Sequence, residues 1–198
     1  MSMIEVKDGT NVKNAVVYGL DESIRRAKFP MAVSTKNIDT TLTKGIEALA
    51  LSPQGQGHDN FLNGIVVQFD LEFTVKAWTE AERYHFFDFV SSQSTMHRIT
   101  KFEGDKYISY VDKRIQLIME EKIREYNEME EGPDRAEKYL EILYSNPCGM
   151  KLTAGMTTNY RQLKTIYAQR KTHRLPEWRE FCKWVETLPH SEFITGKI

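Results

Sequence analysis

Two short segments of this sequence carry side chains that could bind a phosphate-bearing planar ligand. They are Gln93, His97 and Arg98 in the first segment, and Asn159, Arg161 and Arg170 in the second. Both segments adjoin apolar helical patterns, where arginine and histidine are disfavoured unless a partner offsets their desolvation. Guanidinium groups form paired hydrogen bonds with phosphates and with planar carbonyl edges. The residue types therefore predict a site for a nucleotide-like ligand.

The motifs of several common reaction classes are absent from the sequence. It has no GxSxG, no P-loop, no HExxH and no Rossmann glycine fingerprint. Cys148 and Cys182 lie far apart and lack the Cys/His spacing of a metal site. We expect no structural zinc, and we expect a reduced, cytoplasmic protein rather than a disulfide scaffold.

Charge and hydropathy exclude two classes of partner. The net charge of −1 provides no overall attraction to nucleic acid or anionic lipid. The basic C-terminal region is interspersed with glutamates, which is typical of a solvated face, so we expect no nucleic-acid partner. Residues 1–8 lack the apolar core of a signal peptide, and no stretch reaches the ~18 apolar residues of a membrane span. We expect no membrane association.

Apolar periodicity and turn residues divide the chain into strands and helices. Strands are predicted at residues 16–19 and 64–74, with a short extended piece through Met150, Leu152 and Ala154. Helices are predicted at residues 40–51, 78–95, 110–131, 133–144, 159–171 and 176–188. Capping oxygens for the helix through Lys171 are expected from Thr157-Thr158-Asn159. A loop at residues 54–60 and a turn at 101–107 separate these elements. We find no repeat and no linker, so we expect one α/β domain spanning residues 1–198.

Two of the predicted helices have apolar stripes that define their buried faces. In the long charged helix, the stripe comprises Val111, Ile115, Ile118 and Ile123. In the last helix, it comprises Trp178, Phe181, Cys182 and Val185. A core stripe accounts for the tryptophan and cysteine of the last helix without any chemical role.

Taken in chain order, the motifs resemble those of the flavin-dependent thymidylate synthases. That family has Gly-His, a spacer, a strand rich in phenylalanine, and then Q-x-x-R-H-R. Here these positions hold Gly57-His58, the strand at residues 64–74, and Gln93-x-x-Met96-His97-Arg98. The family's later N-x-R-x-L is matched by Asn159-Tyr160-Arg161-Gln162-Leu163, and Arg170 follows at the family's spacing. The resemblance covers roughly residues 15–190 and lies more in order and spacing than in identity.

The resemblance implies a fold, an activity and a set of site residues. The fold is an α/β (α+β) subunit with a central, mostly antiparallel sheet packed with long helices. The activity is that of a flavin-dependent methyltransferase. In that family a homotetramer holds flavin adenine dinucleotide (FAD) between protomers and methylates deoxyuridylate (dUMP), with methylenetetrahydrofolate as carbon donor and a nicotinamide nucleotide as hydride source.

The resemblance also assigns roles to individual residues. The flavin contacts it implies are His58, His97, Arg98, Asn159, Arg161, Thr165 and His173. The nucleotide contacts it implies are Gln93, Lys106, Tyr107 and Arg170, and Arg170 would also face the pyrimidine as the catalytic residue. No metal is implied.

The sequence departs from the family's pattern at several of its ligand positions. Met96 stands in place of an arginine, Lys101 in place of a serine, and Leu143 in place of a phosphate-binding arginine. Thr165 replaces a flavin-facing asparagine, and only Lys106-Tyr107 matches the closing Arg-Tyr. Three hypotheses therefore stay open: a thymidylate synthase-like enzyme of pyrimidine nucleotide metabolism, a non-catalytic nucleotide-binding module, and a protein-interaction module on the same fold.

Overall fold

The structure is a computed structural model that describes residues 3–53 and 55–197. Its strands are β1 (Met3–Glu5), β2 (Val12–Tyr18), β3 (Val66–Thr74), β4 (Phe87–Ser92) and β5 (Lys151–Asn159). Its first helices are α1 (Leu20–Ala27), α2 (Lys44–Ala50), α3 (Val75–Ala81) and α4 (Thr95–Arg98). The later helices are α5 (Lys113–Glu128), α6 (Pro133–Ser145), α7 (Tyr160–Arg170), α8 (Pro176–Val185) and α9 (Glu192–Thr195). The predicted loop at residues 54–60 is observed as turns, except that Gln54 lies outside the described residues.

The strands form one antiparallel sheet in the order β1-β2-β3-β5-β4. The central pair, β3 and β5, is in register from Val66 opposite Asn159 to Thr74 opposite Lys151. β4 is an edge strand, and its register with β5 shifts between Phe89 and Ser91, which marks a bulge at Val90. The expected fold class, an antiparallel sheet packed with helices, is confirmed.

One face of β3 packs against α8 and forms the main core. Alternate residues of the strand, Val67, Phe69, Leu71 and Phe73, are buried. The Phe73 ring lies 4.7 Å from the Trp178 ring in an edge-to-face arrangement. The predicted α8 stripe is confirmed, because Trp178, Phe181, Cys182 and Val185 are all buried.

A second, smaller apolar cluster lies under the α5–α6 hairpin. Its buried members are Ile99, Tyr107, Met119, Ile142 and Met150. The predicted stripe on α5 is partly wrong, since Ile115 and Ile118 are 42% and 50% exposed, whereas Met119 is buried. The helix is also shorter than predicted, because Asp112 caps it by accepting a hydrogen bond from the Arg114 amide.

The predicted helix at residues 78–95 is wrong beyond Ala81. Helix α3 ends at Ala81, a turn follows, and residues 87–92 form strand β4 instead. The aromatic and β-branched residues from Phe86 to Val90 favour a strand, and pairing with β5 outweighs the local apolar spacing that suggested a helix.

Several other boundaries differ by a few residues. The helix predicted at residues 40–51 begins at Lys44, because the Thr43 side chain caps it. The extended piece predicted around Leu152 is a full strand of nine residues. Of the three predicted capping residues, only Asn159 caps α7, while Thr157 and Thr158 belong to β5.

Candidate functional site

Asn159 joins the central strand to the helix that carries most of the predicted site residues. It is the last residue of β5, and its side-chain oxygen accepts a hydrogen bond of 2.9 Å from the Gln162 amide. The cap fixes the start of α7 beside the sheet. Residues three or four apart on α7 then share one face.

A polar groove runs along this face of α7 and consists of two adjoining clefts. The first, of about 450 Å³, is lined by Arg83, Tyr84, His85, Gln162, Thr165, Gln169 and Arg170. The second, of about 250 Å³, is lined by Gly55, Asn63, Phe86, Asn159, Arg161, Gln162 and Thr165. Because Gln162 and Thr165 line both clefts, we treat them together as the α7 groove.

Arg170 lies at one end of the α7 groove and is held by several partners. Its Nη1 lies 2.9 Å from Glu80 Oε2, and its Nε donates to the Tyr84 hydroxyl at 2.7 Å. Its guanidinium carbon lies 5.1 Å from the centre of the Trp178 ring. The side chain is only 11% exposed. The guanidinium of Arg170 is therefore already occupied by protein partners: the Glu80 carboxylate, the Tyr84 hydroxyl and the Trp178 ring.

Glu80 is the counter-ion of this cluster. Burial raises its pKa, but a hydrogen bond with Lys76 lowers it. The positive charges of His173 and Arg170 lower it further, so the pKa of Glu80 lies below its usual value. The carboxylate is thus charged at neutral pH and neutralises Arg170.

His173 lies beside both members of the Arg170–Glu80 pair. Its Nδ1 accepts a hydrogen bond of 3.3 Å from the Leu175 amide, and its Nε2 lies 2.8 Å from Arg170 Nη1, which points a donor toward it. Nε2 also lies 3.2 Å from Glu80 Oε2. The partly buried ring of His173 therefore lies against the Arg170–Glu80 pair.

A second charged cluster holds the glycine-rich loop against α7. Asp59 is fully buried and lies 3.0 Å from Lys164 Nζ and 3.3 Å from Arg161 Nε. Lys164 Nζ also donates to the carbonyl oxygens of Ala50 and Ser52, each at 2.7 Å. These bonds position the loop that contains His58, which is itself exposed.

The predicted residues of the first motif lie elsewhere. Gln93 follows β4, and its side-chain oxygen accepts a hydrogen bond from the Thr153 amide at 2.9 Å, which extends the sheet. The turn that lines the α7 groove precedes β4. β4 has six residues, and at ~3.3 Å per residue its ends lie roughly 20 Å apart. Gln93 is therefore separated from the groove by the length of the strand.

His97 lines a different cleft, of about 550 Å³, between α4 and the α5–α6 hairpin. Arg98 is exposed on the same short helix. Tyr107 is 8% exposed and belongs to the second apolar cluster, and burial raises its pKa. The Lys106 carbonyl accepts a hydrogen bond from the Lys151 amide. Within the described chain, these residues do not meet those of α7.

The sequence did not single out the partners that hold the groove arginines. Glu80 and Asp59 are distant in sequence from α7, and no local motif marks them. Arg83 and Phe86 fell within the predicted helix at residues 78–95, so their place in a turn could not be anticipated. Asp59 directly follows Gly57-His58, but its partner Lys164 lies 105 positions later in the chain.

The described part of the chain has neither a grouping of metal ligands nor a membrane-spanning helix. Across residues 3–53 and 55–197, no three side chains of His, Cys, Asp or Glu are grouped so that they could hold a metal ion. In the same part of the chain, no helix is both long and apolar enough to cross a membrane.

The fold and the groove define a mixed α/β protein with a ligand-sized polar site beside an antiparallel sheet. No family model matches the chain, and no curated protein matches it in sequence. The fold is shared with flavin-dependent thymidylate synthase ThyX from Helicobacter pylori, whose structure in complex with FAD and dUMP is 15% identical. That comparison has a TM-score of 0.66 and covers 98% of this chain and 97% of the other.

A second structure of ThyX from Helicobacter pylori, also with FAD and dUMP, gives the same TM-score of 0.66 at 14% identity. It covers 90% of this chain and 93% of that one. At these identities the likeness concerns the fold. The chain has a ThyX-like fold.

Proposed function

We propose that this chain is a thymidylate synthase-like flavoprotein whose α7 groove binds dUMP or a related pyrimidine nucleotide together with FAD. The observation that carries the proposal is the grouping of residues that the motif resemblance assigned to ligands. They are Asn159, Arg161, Thr165, Arg170 and His173. The ThyX structures that share the fold hold both ligands. The reaction class is methyl transfer to the pyrimidine, and the chain acts as a single domain over residues 1–198.

The donors of the groove suit a flavin. Asn159 uses its oxygen for the helix cap, so its amide nitrogen is left as a donor toward the second cleft. Arg161 is partly exposed and fixed by Asp59, and Gln162 lies beside it. Such groups match the carbonyl oxygens and ring nitrogens of a flavin. Bound FAD would supply the redox chemistry, while these residues bind and orient it.

Arg170 has a positioning role in this proposal. Its guanidinium is neutralised by Glu80 and packed on Trp178, so it keeps the wall of the first cleft in place. This differs from the pyrimidine-facing role that the motif resemblance implies. Breaking the contact with Glu80 would be needed before Arg170 could bind a ligand anion.

A second copy of the chain completes the site in our proposal. His97 and Arg98 lie beyond the far end of β4 from the groove and are both exposed. An arrangement in which a neighbouring copy brings these side chains to the groove accounts for both observations. We therefore infer a homo-oligomer, and a tetramer is the form that the motif resemblance implies.

The test of the flavin proposal is the visible absorption spectrum of the concentrated purified protein. The spectrum is recorded before and after incubation with FAD and removal of the excess. A retained flavin spectrum supports the proposal, and the variant Arg161→Ala should lose it. Colourless wild-type protein that refuses added FAD overturns flavin binding.

A nucleotide-binding protein without redox chemistry is the second candidate. Two observations favour it: Met96 stands where the family has an arginine, and Arg170 is already neutralised by Glu80. It predicts that dUMP raises the melting temperature whereas FAD does not. A ligand at one hundred times its dissociation constant stabilises the folded state by about 2.7 kcal/mol, which a thermal shift detects. No shift with either ligand overturns both candidates.

A further inference from the structure

The arginines of the α7 groove differ in whether an acidic side chain of the protein already neutralises them. Arg161 lies 3.3 Å from Asp59, and Arg170 lies 2.9 Å from Glu80. Arg83 also lines the first cleft, and it is exposed. Within residues 3–53 and 55–197, its side chain has no ion pair or hydrogen bond. Arg83 can therefore bind a ligand anion without first breaking a contact with the protein.

Phe86, in the same turn, has a strained backbone and an exposed ring. Its φ is 58°, in the left-handed region that bulky residues rarely adopt. The Phe86 carbonyl accepts a hydrogen bond of 2.6 Å from the Thr158 hydroxyl, which holds the turn against β5. The side chain is 66% exposed and lines the second cleft. Strain of this kind concentrates at ligand-binding positions, and an exposed ring is a stacking surface for a base.

Gln162 lies between these two residues along the groove. It lines both clefts, and among the described residues its carboxamide group has no hydrogen-bond partner. A carboxamide offers a donor and an acceptor side by side, which is the pair that a base edge requires. Its backbone is fixed because its amide donates to the Asn159 cap.

The spacing of Arg83 and Phe86 suits a single nucleotide. They are three residues apart in one turn, so their Cα atoms lie no more than about 11 Å from each other. A base, sugar and phosphate can bridge such a span. Both residues border clefts that share Gln162, so one ligand can reach all three side chains.

We propose that the α7 groove binds a nucleoside monophosphate with its base stacked on Phe86 and hydrogen-bonded to Gln162, and with its phosphate on Arg83. This assignment rests on the proposed nucleotide-binding function and specifies the residues that perform it. It separates phosphate binding from Arg170, which instead supports the wall of the cleft.

The experiment compares dUMP with deoxyuridine by isothermal titration of the wild type and of Arg83→Ala. Loss of a charged hydrogen bond to phosphate is expected to weaken dUMP binding about ten- to thirtyfold. Deoxyuridine, which lacks the phosphate, should bind both proteins equally. Phe86→Leu should weaken both ligands by a similar factor, because the base is common to them. Arg124→Ala removes an exposed arginine on α5 and serves as the matched control.

Each outcome decides the assignment. If Arg83→Ala binds dUMP as tightly as the wild type does, the phosphate assignment is overturned while nucleotide binding stands. If the wild type binds neither ligand, the proposed function and the assignment are both overturned. Arg83→Lys keeps the positive charge and should recover most of the lost affinity. An equal loss in Arg83→Lys and Arg83→Ala for both ligands indicates a structural effect and also overturns the assignment.

Discussion

Arg170 and Glu80 face each other at 2.9 Å although ninety positions separate them in the chain. Glu80 lies on α3, directly after the central strand β3, and Arg170 ends α7, which follows the other central strand. The pair therefore ties together the two helices that leave the middle of the sheet. Neither side chain is more than 18% exposed, so solvent screens the interaction weakly.

Glu80→Gln should destabilise the folded state by about 1–3 kcal/mol at pH 7, because Arg170 is then left without its counter-ion. Chemical denaturation measures the difference in the free energy of unfolding. Glu82→Gln, an exposed acid on the same segment, is the control and should change little.

The effect of Glu80→Gln should also depend on pH. The folded state lowers the pKa of Glu80 below its ordinary value of 4.5. The carboxylate therefore contributes its full stability above about that pH and loses it as the pH falls through the lowered pKa. Wild type and Glu80→Gln should converge in acid. A difference that grows below pH 4 would contradict this account.

Lys164→Met should destabilise the protein by about 2–4 kcal/mol, since it leaves Asp59 partly unpaired and two carbonyl oxygens without a donor. The turns around His58 should then become the first site of cleavage in limited proteolysis. Lys171→Met, at the exposed end of α7, is the matched control. Unchanged proteolysis of these turns would show that Lys164 does not hold them.

Phe86→Gly should raise the free energy of unfolding by about 0.5–1 kcal/mol, because glycine adopts a positive φ without strain. The exposed ring forms few contacts that would be lost. Phe89→Gly should instead lower the free energy of unfolding, because Phe89 lies in β4 and its ring is 5.0 Å from the ring of Trp78. Thermal denaturation of both variants distinguishes them. Equal destabilisation would refute the strain at Phe86.

The two cysteines should differ in reactivity toward a thiol reagent at pH 8. Cys148 is exposed, whereas Cys182 is buried and its burial raises the pKa of the thiol to about 12. One thiol should react in the native protein and both in denaturant, and Cys148→Ser should remove the fast reaction. Because the Cys182 thiol ionises more readily in the unfolded chain, the free energy of unfolding should fall as the pH rises above about 9. Rapid labelling of Cys182 in native protein would contradict its burial.

The sequence pattern correctly predicted those helices, strands and turns whose signals lie within the element itself. The α7 and α8 helices, the strand β3 and the turn around Gly104 all have caps, alternation or glycine in the sequence itself. The failure lies at residues 82–95, where Trp78, Ala81, Tyr84 and Phe87 have spacing compatible with a helix. Their state is decided by pairing with β5, more than sixty positions later, and no local signal encodes that pairing.

The candidate site divides in the same way. The residues of α7 could be recognised because they share one helix and one motif. Which arginine is neutralised could not be predicted, because Asp59 and Glu80 reach Arg161 and Arg170 only through the folded sheet. That the Arg83 guanidinium has no partner among the described residues is likewise a property of the tertiary structure.

The bulge at Val90 also bears on how the protein behaves at high concentration. An exposed edge strand with apolar side chains is a template on which further strands of other molecules can pair. Phe89 and Val90 are 48% and 64% exposed on such an edge. The extra residue at Val90 interrupts the regular row of hydrogen-bonding groups, so an incoming strand cannot stay in register along β4. The bulge at Val90 thus disfavours the addition of further strands to the exposed apolar edge of the sheet, and with it the growth of fibrils.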